Sequence, residues 1–173
     1  MIGNILESTE LNWEEVSLKR GDYLITPGKV EKSIYFVKEG AFRAFIIDEE
    51  EEFTIRFGYK NSIITALPSY FTKEPTELFI QAIRRSQVLK TSKVLFEKYI
   101  HQSKETLEQY QTILEDLISS FLAREIDLLT QSPALRYERL LSRSPQVFQE
   151  IPHKYIASYL RMSPETLSRL LNS

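Results

Sequence analysis

The apolar residues of this chain change their spacing beyond about residue 91, and that change limits the folds available to it. Before this point, short runs of β-branched and aromatic residues alternate with turn signals such as Arg20-Gly21-Asp22, Pro27-Gly28-Lys29 and Glu39-Gly40. Beyond it, apolar residues recur at helical spacing, and no glycine follows Gly58. The pattern therefore predicts a β-rich half followed by a helical half.

About eight short strands fit the first half. They are Val16–Leu18, Tyr23–Ile25, Ile34–Val37, Phe42–Ile47, Phe53–Phe57, Ile63–Ile64, Leu78–Ile83 and Val88–Leu89. So many short strands with turns between them predict a closed or two-sheet antiparallel roll. The acidic run Asp48 to Glu52 is interpreted as a solvated hairpin end that discourages edge pairing.

The longest helical pattern runs from about Ser103 to Gln131 and would be about 40 Å long. Its apolar residues follow alternating steps of three and four, with Arg124 as the one interruption. This predicted seam consists of Leu107, Tyr110, Leu114, Leu117, Phe121 and Leu128. Two interpretations stay open: a seam between two copies of the chain, which we prefer, or a core helix packed on its own roll.

Three further helices are predicted near the carboxyl end, with Pro145 to Pro152 as a connector. The first begins at Ser132-Pro133, and the other two run from about His153 to Leu160 and from Pro164 to Leu171. Serine suits the N-cap and proline the first helical position. The last helix places Leu167, Leu170 and Leu171 inward and polar residues outward, which is typical of a helix that reads the DNA major groove.

Composition and charge narrow the function classes. There is no cysteine, which excludes disulfides and thiolate chemistry, and no residue pattern indicates a catalytic site, a cofactor or a metal site. His101 and His153 both fall on predicted helices outside the roll. No apolar run approaches the roughly 20 residues of a membrane span, and the amino terminus lacks a secretory signal, so we expect a cytoplasmic protein. Because no catalytic pattern is present, we do not expect an enzyme. Residues 131–173 carry six Lys/Arg against three Asp/Glu, the sign that suits phosphates.

The helix pair Lys154-Tyr-Ile-Ala-Ser-Tyr-Leu160 and Ser163-Pro-Glu-Thr-Leu-Ser-Arg169 resembles the helix-turn-helix of the Crp/Fnr family of transcription regulators. Arg20-Gly21-Asp22, Gly28 and the segment Ile34 to Gly40 are similar to the turns of that family's cyclic-nucleotide-binding roll. The resemblance implies an α+β fold with a β-roll sensor domain at 1–101, a dimerisation helix at 102–131 and a helix-turn-helix DNA-binding domain at 132–173. It implies a homodimer that binds double-stranded DNA under the control of a small-molecule effector, with RNA polymerase as a candidate partner.

By the same resemblance, Glu165 and Arg169 would read bases, and Ser163, Thr166 and Ser168 would reach phosphates or bases. Lys154 would contact the DNA backbone. The family often has Gly at the turn position of Arg161, and a left-handed conformation there would cost about 1 kcal/mol. The family's helix-turn-helix is also usually followed by more chain than this sequence has after the last helix, so we expect either weak DNA affinity or a natural chain that continues beyond Ser173.

The effector is not expected to be cyclic AMP. The family's phosphate cassette aligns with Ile64-Thr65 and Thr76-Glu77, and neither its Gly-Glu pair nor its Arg-Ser/Thr-Ala group is present. An uncharged or cationic molecule among Phe57, Tyr59, Tyr70 and Phe79 is one option, and a plain aromatic core is the other. Tyr110, Ser119 and Ser120 of the long helix are expected to close such a pocket. The rival function is a ligand sensor or protein-interaction module that does not bind DNA.

Overall fold

Eight strands build the first half of the chain in the computed structural model, which describes residues 8–172. Residues 1–7 of the predicted sensor domain and Ser173 lie outside the described residues. A short 3₁₀ turn, Thr9–Leu11, precedes the first strand. The strands are β1 (Glu14–Leu18), β2 (Tyr23–Ile25), β3 (Ser33–Glu39), β4 (Ala41–Asp48), β5 (Glu51–Tyr59), β6 (Ile63–Ile64), β7 (Phe79–Ala82) and β8 (Ser86–Ser92).

The strands form two four-stranded antiparallel sheets, in the orders β1-β8-β3-β6 and β2-β7-β4-β5. Their facing sides enclose a core that includes Val37, Phe42, Ile80 and Val88, all of them fully buried. The predicted two-sheet roll is therefore confirmed. The acidic run turns the β4–β5 hairpin, where Glu49 and Glu50 take positive φ values of 46° and 71°.

Seven α-helices complete the described part of the chain. They are α1 (Leu67–Thr72), α2 (Lys93–Ile100), α3 (Lys104–Leu129), α4 (Pro133–Arg143), α5 (Gln146–Glu150), α6 (His153–Tyr159) and α7 (Pro164–Leu171). Ser103, Ser132 and Ser163 each accept a backbone N–H as N-caps, which explains where α3, α4 and α7 begin. Helix α1 was not predicted, and the predicted connector between Pro145 and Pro152 contains α5.

The predicted seam of α3 lies against the roll in part. Tyr110, Leu114 and Leu117 are half-buried, and all three line a cavity between α3 and the roll. A second set of apolar residues lies beside the seam on the same helix and faces outward. This exposed stripe consists of Ile118, Leu122, Ile126 and Leu129, which are between 51% and 74% exposed. The apolar surface of α3 is thus wider than the part of it that the roll covers.

The carboxyl-terminal helices pack on the second sheet through β5. Ile156, Ala157, Leu160 and Leu167 form an apolar cluster with residues of α4 and α5 and with Ala41 and Ile83 of the roll. Phe57 and Tyr59 of β5 lie against the same cluster. The C-terminal helices therefore share one core with the sensor half.

Polar contacts fix the position of α6 on β5. The Ser158 hydroxyl accepts the Thr54 backbone N–H at 3.1 Å and donates to the Glu52 carbonyl at 3.2 Å. Arg124 of α3 donates to the Thr54 carbonyl at 3.0 Å, and its guanidinium lies 4.8 Å from the Tyr159 ring centroid. Arg124, which interrupts the predicted seam, thus joins α3 to β5 and α6.

Candidate functional site

A cavity of about 440 Å³ lies between the roll and α3. Strands β5 and β6, helix α1 and one face of α3 enclose it. Its walls are mostly apolar and include Ile55, Ile63, Leu67, Leu78, Leu114 and Leu117. The volume falls within the range of about 300–1,000 Å³ that is usual for small-molecule sites.

Arg56 places a positive charge in the wall of this cavity. Its Nη1 donates to the Ser120 hydroxyl at 3.0 Å, and its guanidinium lies 5.0 Å from the Phe121 ring centroid. Among the described residues, no carboxylate oxygen lies within 4.0 Å of its nitrogens. Burial lowers the pKa of the Arg56 guanidinium because desolvation disfavours the charged form, but an arginine remains protonated at neutral pH.

Two tyrosines supply further polar atoms to the cavity. The Tyr70 side chain is 2% exposed, and its hydroxyl is buried without a hydrogen-bond partner in the described structure. Burial raises the pKa of Tyr70 and of Tyr110, so both phenols are neutral and able to donate at neutral pH. Tyr110 packs edge-on against Phe96, with ring centroids 5.9 Å apart.

The structure brings four of the seven predicted effector residues to the cavity wall: Ile64, Thr65, Tyr110 and Ser120. The other three are not among the lining residues. Thr76 is buried, and its hydroxyl accepts the Leu78 backbone N–H at 3.0 Å, while Glu77 and Ser119 are exposed. Of the four predicted aromatic residues, only Tyr70 lines the cavity. Phe57 and Tyr59 pack on the C-terminal helices, and Phe79 stacks on Phe45 at 5.0 Å.

Sequence reasoning missed Arg56. The strand Phe53-Thr-Ile-Arg-Phe57 is apolar on both sides of this residue, and a charge inside such a strand is a signal of a buried cation. The sequence does not say which element it faces, because strand alternation gives the face of the sheet and not the neighbour on that face.

The second candidate site is the outward face of α7. Glu165, Ser168 and Arg169 are exposed on it, whereas Leu167 on the opposite face is fully buried. Thr166 is half-buried, and its backbone N–H donates to the Ser163 hydroxyl at 3.1 Å. The face is therefore polar and accessible while the helix itself is held from behind.

Hydrogen bonds and charge keep Glu165 ionised at this surface. A hydrogen bond from its own backbone N–H, one from the Ser163 hydroxyl and the nearby charge of Arg169 lower the pKa of the Glu165 carboxyl. Lys154 is exposed on α6, with its ammonium 4.7 Å from the Tyr155 ring centroid. Arg161, in the turn between the two helices, has a φ of 54°. This is the left-handed conformation that is costly for a residue other than glycine.

The sequence profile of the cyclic nucleotide-binding domain matches residues 15–103, just over half of the 173 residues. This match covers the roll, α2 and the cap of α3. The chain belongs to the cyclic nucleotide-binding domain family. No curated protein sequence matches the chain significantly.

Solved structures of CRP/FNR regulators share the fold of nearly the whole chain. A mutant of CooA from Carboxydothermus hydrogenoformans is 21% identical with a TM-score of 0.77, and the alignment covers 98% of this chain and 81% of that one. FixK2 from Bradyrhizobium japonicum is 16% identical with a TM-score of 0.74, over 92% and 83% of the two chains. A CRP/FNR-family transcriptional regulator from Thermus thermophilus is 19% identical with a TM-score of 0.66, over 92% and 84%.

Within residues 8–172, no helix is both long and apolar enough to cross a membrane. No group of three or more His, Cys, Asp or Glu residues in the same range is arranged to hold a metal ion.

Proposed function

We propose that this chain is a DNA-binding transcription regulator of the CRP/FNR type. Residues 1–101 act as the sensor, residues 102–131 contain the dimerisation helix and residues 132–173 form the helix-turn-helix domain. The observation that carries this proposal is the face of α7, which exposes Arg169 and Glu165 while Leu167 anchors the helix. The likeness to CRP/FNR structures supports it.

The chemistry of the α7 face fits the major groove. Arg169 and Glu165 lie one turn apart, so both side chains can enter one groove. A guanidinium can donate two hydrogen bonds to guanine O6 and N7, and a carboxylate can accept from cytosine N4. Ser163, Thr166, Ser168 and Lys154 surround this pair and suit contacts to phosphates, which position the protein without reading sequence.

Arg169→Ala tests base reading. We expect it to weaken binding to a selected operator by about 1–3 kcal/mol and to relax the preference at one base pair. Lys154→Ala is the matched control. It should weaken operator and random DNA alike and lower the slope of log K against log salt by about one unit. Fluorescence anisotropy over a salt series measures both quantities.

Equal losses on operator and random DNA for Arg169→Ala would remove its base-reading role. Absence of DNA binding by the wild-type protein at low salt would favour the rival function, a ligand sensor or protein-interaction module. Both results are read against Lys154→Ala, which carries the same loss of one positive charge.

We propose that the dimer forms through the exposed stripe of α3 and not only through the predicted seam. Ile118, Leu122, Ile126 and Leu129 form an apolar row along one face of a helix of 26 residues. A second copy of the same helix, placed antiparallel or parallel about a two-fold axis, would cover this row. Tyr110, Leu114 and Leu117 of the predicted seam already contact the cavity.

Leu122→Glu should convert the dimer to a monomer. The side chain is 61% exposed in the isolated chain, so the substitution disturbs the fold little but places a charge in the apolar interface. Sedimentation equilibrium gives the mass. Glu125→Gln, on the same turn and also exposed, is the control and should stay dimeric. A wild type that is monomeric, or a Leu122→Glu variant that remains dimeric, would contradict the assignment.

The proposed regulation is allosteric. An effector in the cavity contacts both the roll and α3, so it shifts the packing of the two long helices against each other. That shift resets the spacing of two α7 helices relative to successive major grooves about 34 Å apart. Cyclic AMP is not proposed as the effector. Ile64 and Thr65 stand where its ribose requires a carboxylate, and Thr76 and Glu77 stand where its phosphate requires a guanidinium.

A further inference from the structure

The cavity between the roll and α3 combines an apolar wall with one unpaired cation. Its volume is about 440 Å³, and aliphatic and aromatic side chains from β5, β6, α1 and α3 make up most of its surface. A polar ligand such as a nucleotide would lose most of its hydration there and regain few hydrogen bonds, because most of the lining side chains are apolar. A hydrocarbon or aromatic body, in contrast, is stabilised by transfer into such a site.

Arg56 determines the charge that this cavity accepts. Its guanidinium is largely buried and has no carboxylate partner among the described residues. Its one hydrogen bond to a side chain is to the Ser120 hydroxyl, which itself donates to the Leu117 carbonyl at 2.8 Å. A buried cation without a counterion costs free energy, and an incoming anion removes that cost.

Asp116 also lines the cavity but has a weaker influence on it. Its side chain is exposed on α3, where water screens its charge, whereas Arg56 is desolvated. Of the two charged side chains in the lining, Arg56 therefore has the stronger effect inside the cavity. This disfavours the cationic ligand that the aromatic residues alone had suggested.

The Tyr70 hydroxyl is a second, independent sign of a ligand. It belongs to a lining side chain that is almost fully buried, and it has no hydrogen-bond partner in the described structure. Buried polar atoms are nearly always paired, so a ligand group that accepts a hydrogen bond from this hydroxyl would remove the cost of leaving it unpaired. A neutral phenol donates to a carboxylate oxygen or to a hydroxyl.

We propose that the cavity binds an apolar organic monocarboxylate, with its carboxylate paired to Arg56 and its hydrocarbon or aromatic body among the residues of β6, α1 and α3. The planar guanidinium matches a carboxylate with two parallel hydrogen bonds, and the single cation matches a single negative charge. This inference rests on the proposed function only in treating the cavity as the effector site.

Binding of such an acid would act directly on the contact between the roll and α3. The carboxylate competes with the Ser120 hydroxyl for Arg56, and the Arg56–Ser120 hydrogen bond joins β5 to α3. Thr54 lies on the same strand, β5, two positions nearer the β4–β5 hairpin, and it contacts both Ser158 of α6 and Arg124 of α3. Strand β5 therefore connects the residue that binds the ligand's charge to α6.

Isothermal titration of the full chain with two acids and their alcohols tests the proposal. The probes are decanoate and 1-naphthaleneacetate, with decan-1-ol and 1-naphthaleneethanol as neutral counterparts and cyclic AMP as a polar anion. We expect at least one acid to bind about tenfold or more tightly than its alcohol. Equal affinity of each acid and its alcohol, or tighter binding of cyclic AMP than of either acid, overturns the proposal.

Substitutions of Arg56 separate charge from packing. Arg56→Met should weaken binding of the acid about tenfold or more while leaving the alcohol unchanged. Arg56→Lys, which keeps the charge, should retain a preference for the acid. It provides the test if the Arg56→Met variant does not fold. Arg85→Met removes an exposed arginine of the roll and should bind like the wild type. An unchanged acid affinity in folded Arg56→Met contradicts the assignment.

These titrations are independent of the DNA experiments. A failure of the Arg169 series leaves the affinities for the acids and alcohols as measured. Equal binding of acid and alcohol, in contrast, removes the ligand class and leaves DNA binding untouched.

Discussion

Replacing Gly40 with alanine is expected to lower the free energy of unfolding by about 2–5 kcal/mol, from a strained left-handed backbone and an overpacked neighbour together. Gly40 joins β3 to β4 with a φ of +94°. A Cβ built there would lie 2.5 Å from the Ser86 Cα, a backbone atom that cannot rotate away. Ser86 is itself held in place, because its hydroxyl accepts the Ala41 backbone N–H at 3.1 Å.

Gly21→Ala is the matched control for this prediction. Gly21 has nearly the same φ, +93°, but nothing lies within 4 Å of the added Cβ. Its cost should therefore be the backbone strain alone, about 1–2 kcal/mol. Urea denaturation followed by circular dichroism measures both variants. If the two lose the same stability, the steric contact with Ser86 contributes nothing.

Asp127→Asn should cost about 3 kcal/mol, because it leaves two arginines without their shared carboxylate. The Asp127 side chain is 1% exposed, and it pairs with Arg139 at 2.8 Å and with Arg143. This loss lies at the low end for a broken buried ion pair, since the Arg139 and Arg143 side chains are 43% and 24% exposed to water. These two ion pairs link the end of α3 to α4, so α4 should also be held less firmly in the variant.

Asp116→Asn, on the exposed part of α3, provides the comparison for Asp127→Asn. The described structure shows no ion pair for Asp116, so its substitution should change the free energy of unfolding by less than about 0.5 kcal/mol. Thermal and urea unfolding measure the free energy of unfolding of both variants. Hydrogen exchange of α4 amides should rise only in Asp127→Asn. A loss in Asp127→Asn no greater than in Asp116→Asn would show that the buried carboxylate does not hold α3 and α4 together.

Local chemistry explains why most elements were predicted from the sequence. Serine followed by proline marked the starts of α4 and α7, and glycine turns separated the strands. Helices α1 and α5 were missed because they contain only six and five residues. At that length a helix has too few apolar repeats to show a period, and tertiary packing decides whether it forms.

Long-range contacts explain why the candidate sites were predicted only in part. Periodicity identified the apolar face of α3, yet it did not show that Leu114 and Leu117 cover a cavity while Leu122 faces outward. For the aromatic residues of β5 a ligand pocket and a plain core were both left open, and Phe57 packs on Tyr159, with ring centroids 5.3 Å apart. Both outcomes depend on which elements meet in three dimensions, and spacing along the chain does not carry that information.

The packing of α6 on β5 has a consequence for synthesis on the ribosome. The hydrogen bond between Thr54 and Ser158 joins residues 104 positions apart, and pairings so distant in sequence form late in folding. While the first 150 residues emerge, Ala41, Phe57 and Ile83 have no partner from α6 or α7 to cover them. The nascent roll therefore presents an apolar surface that chaperones can bind, and this surface stays uncovered until α6 and α7 have left the exit tunnel.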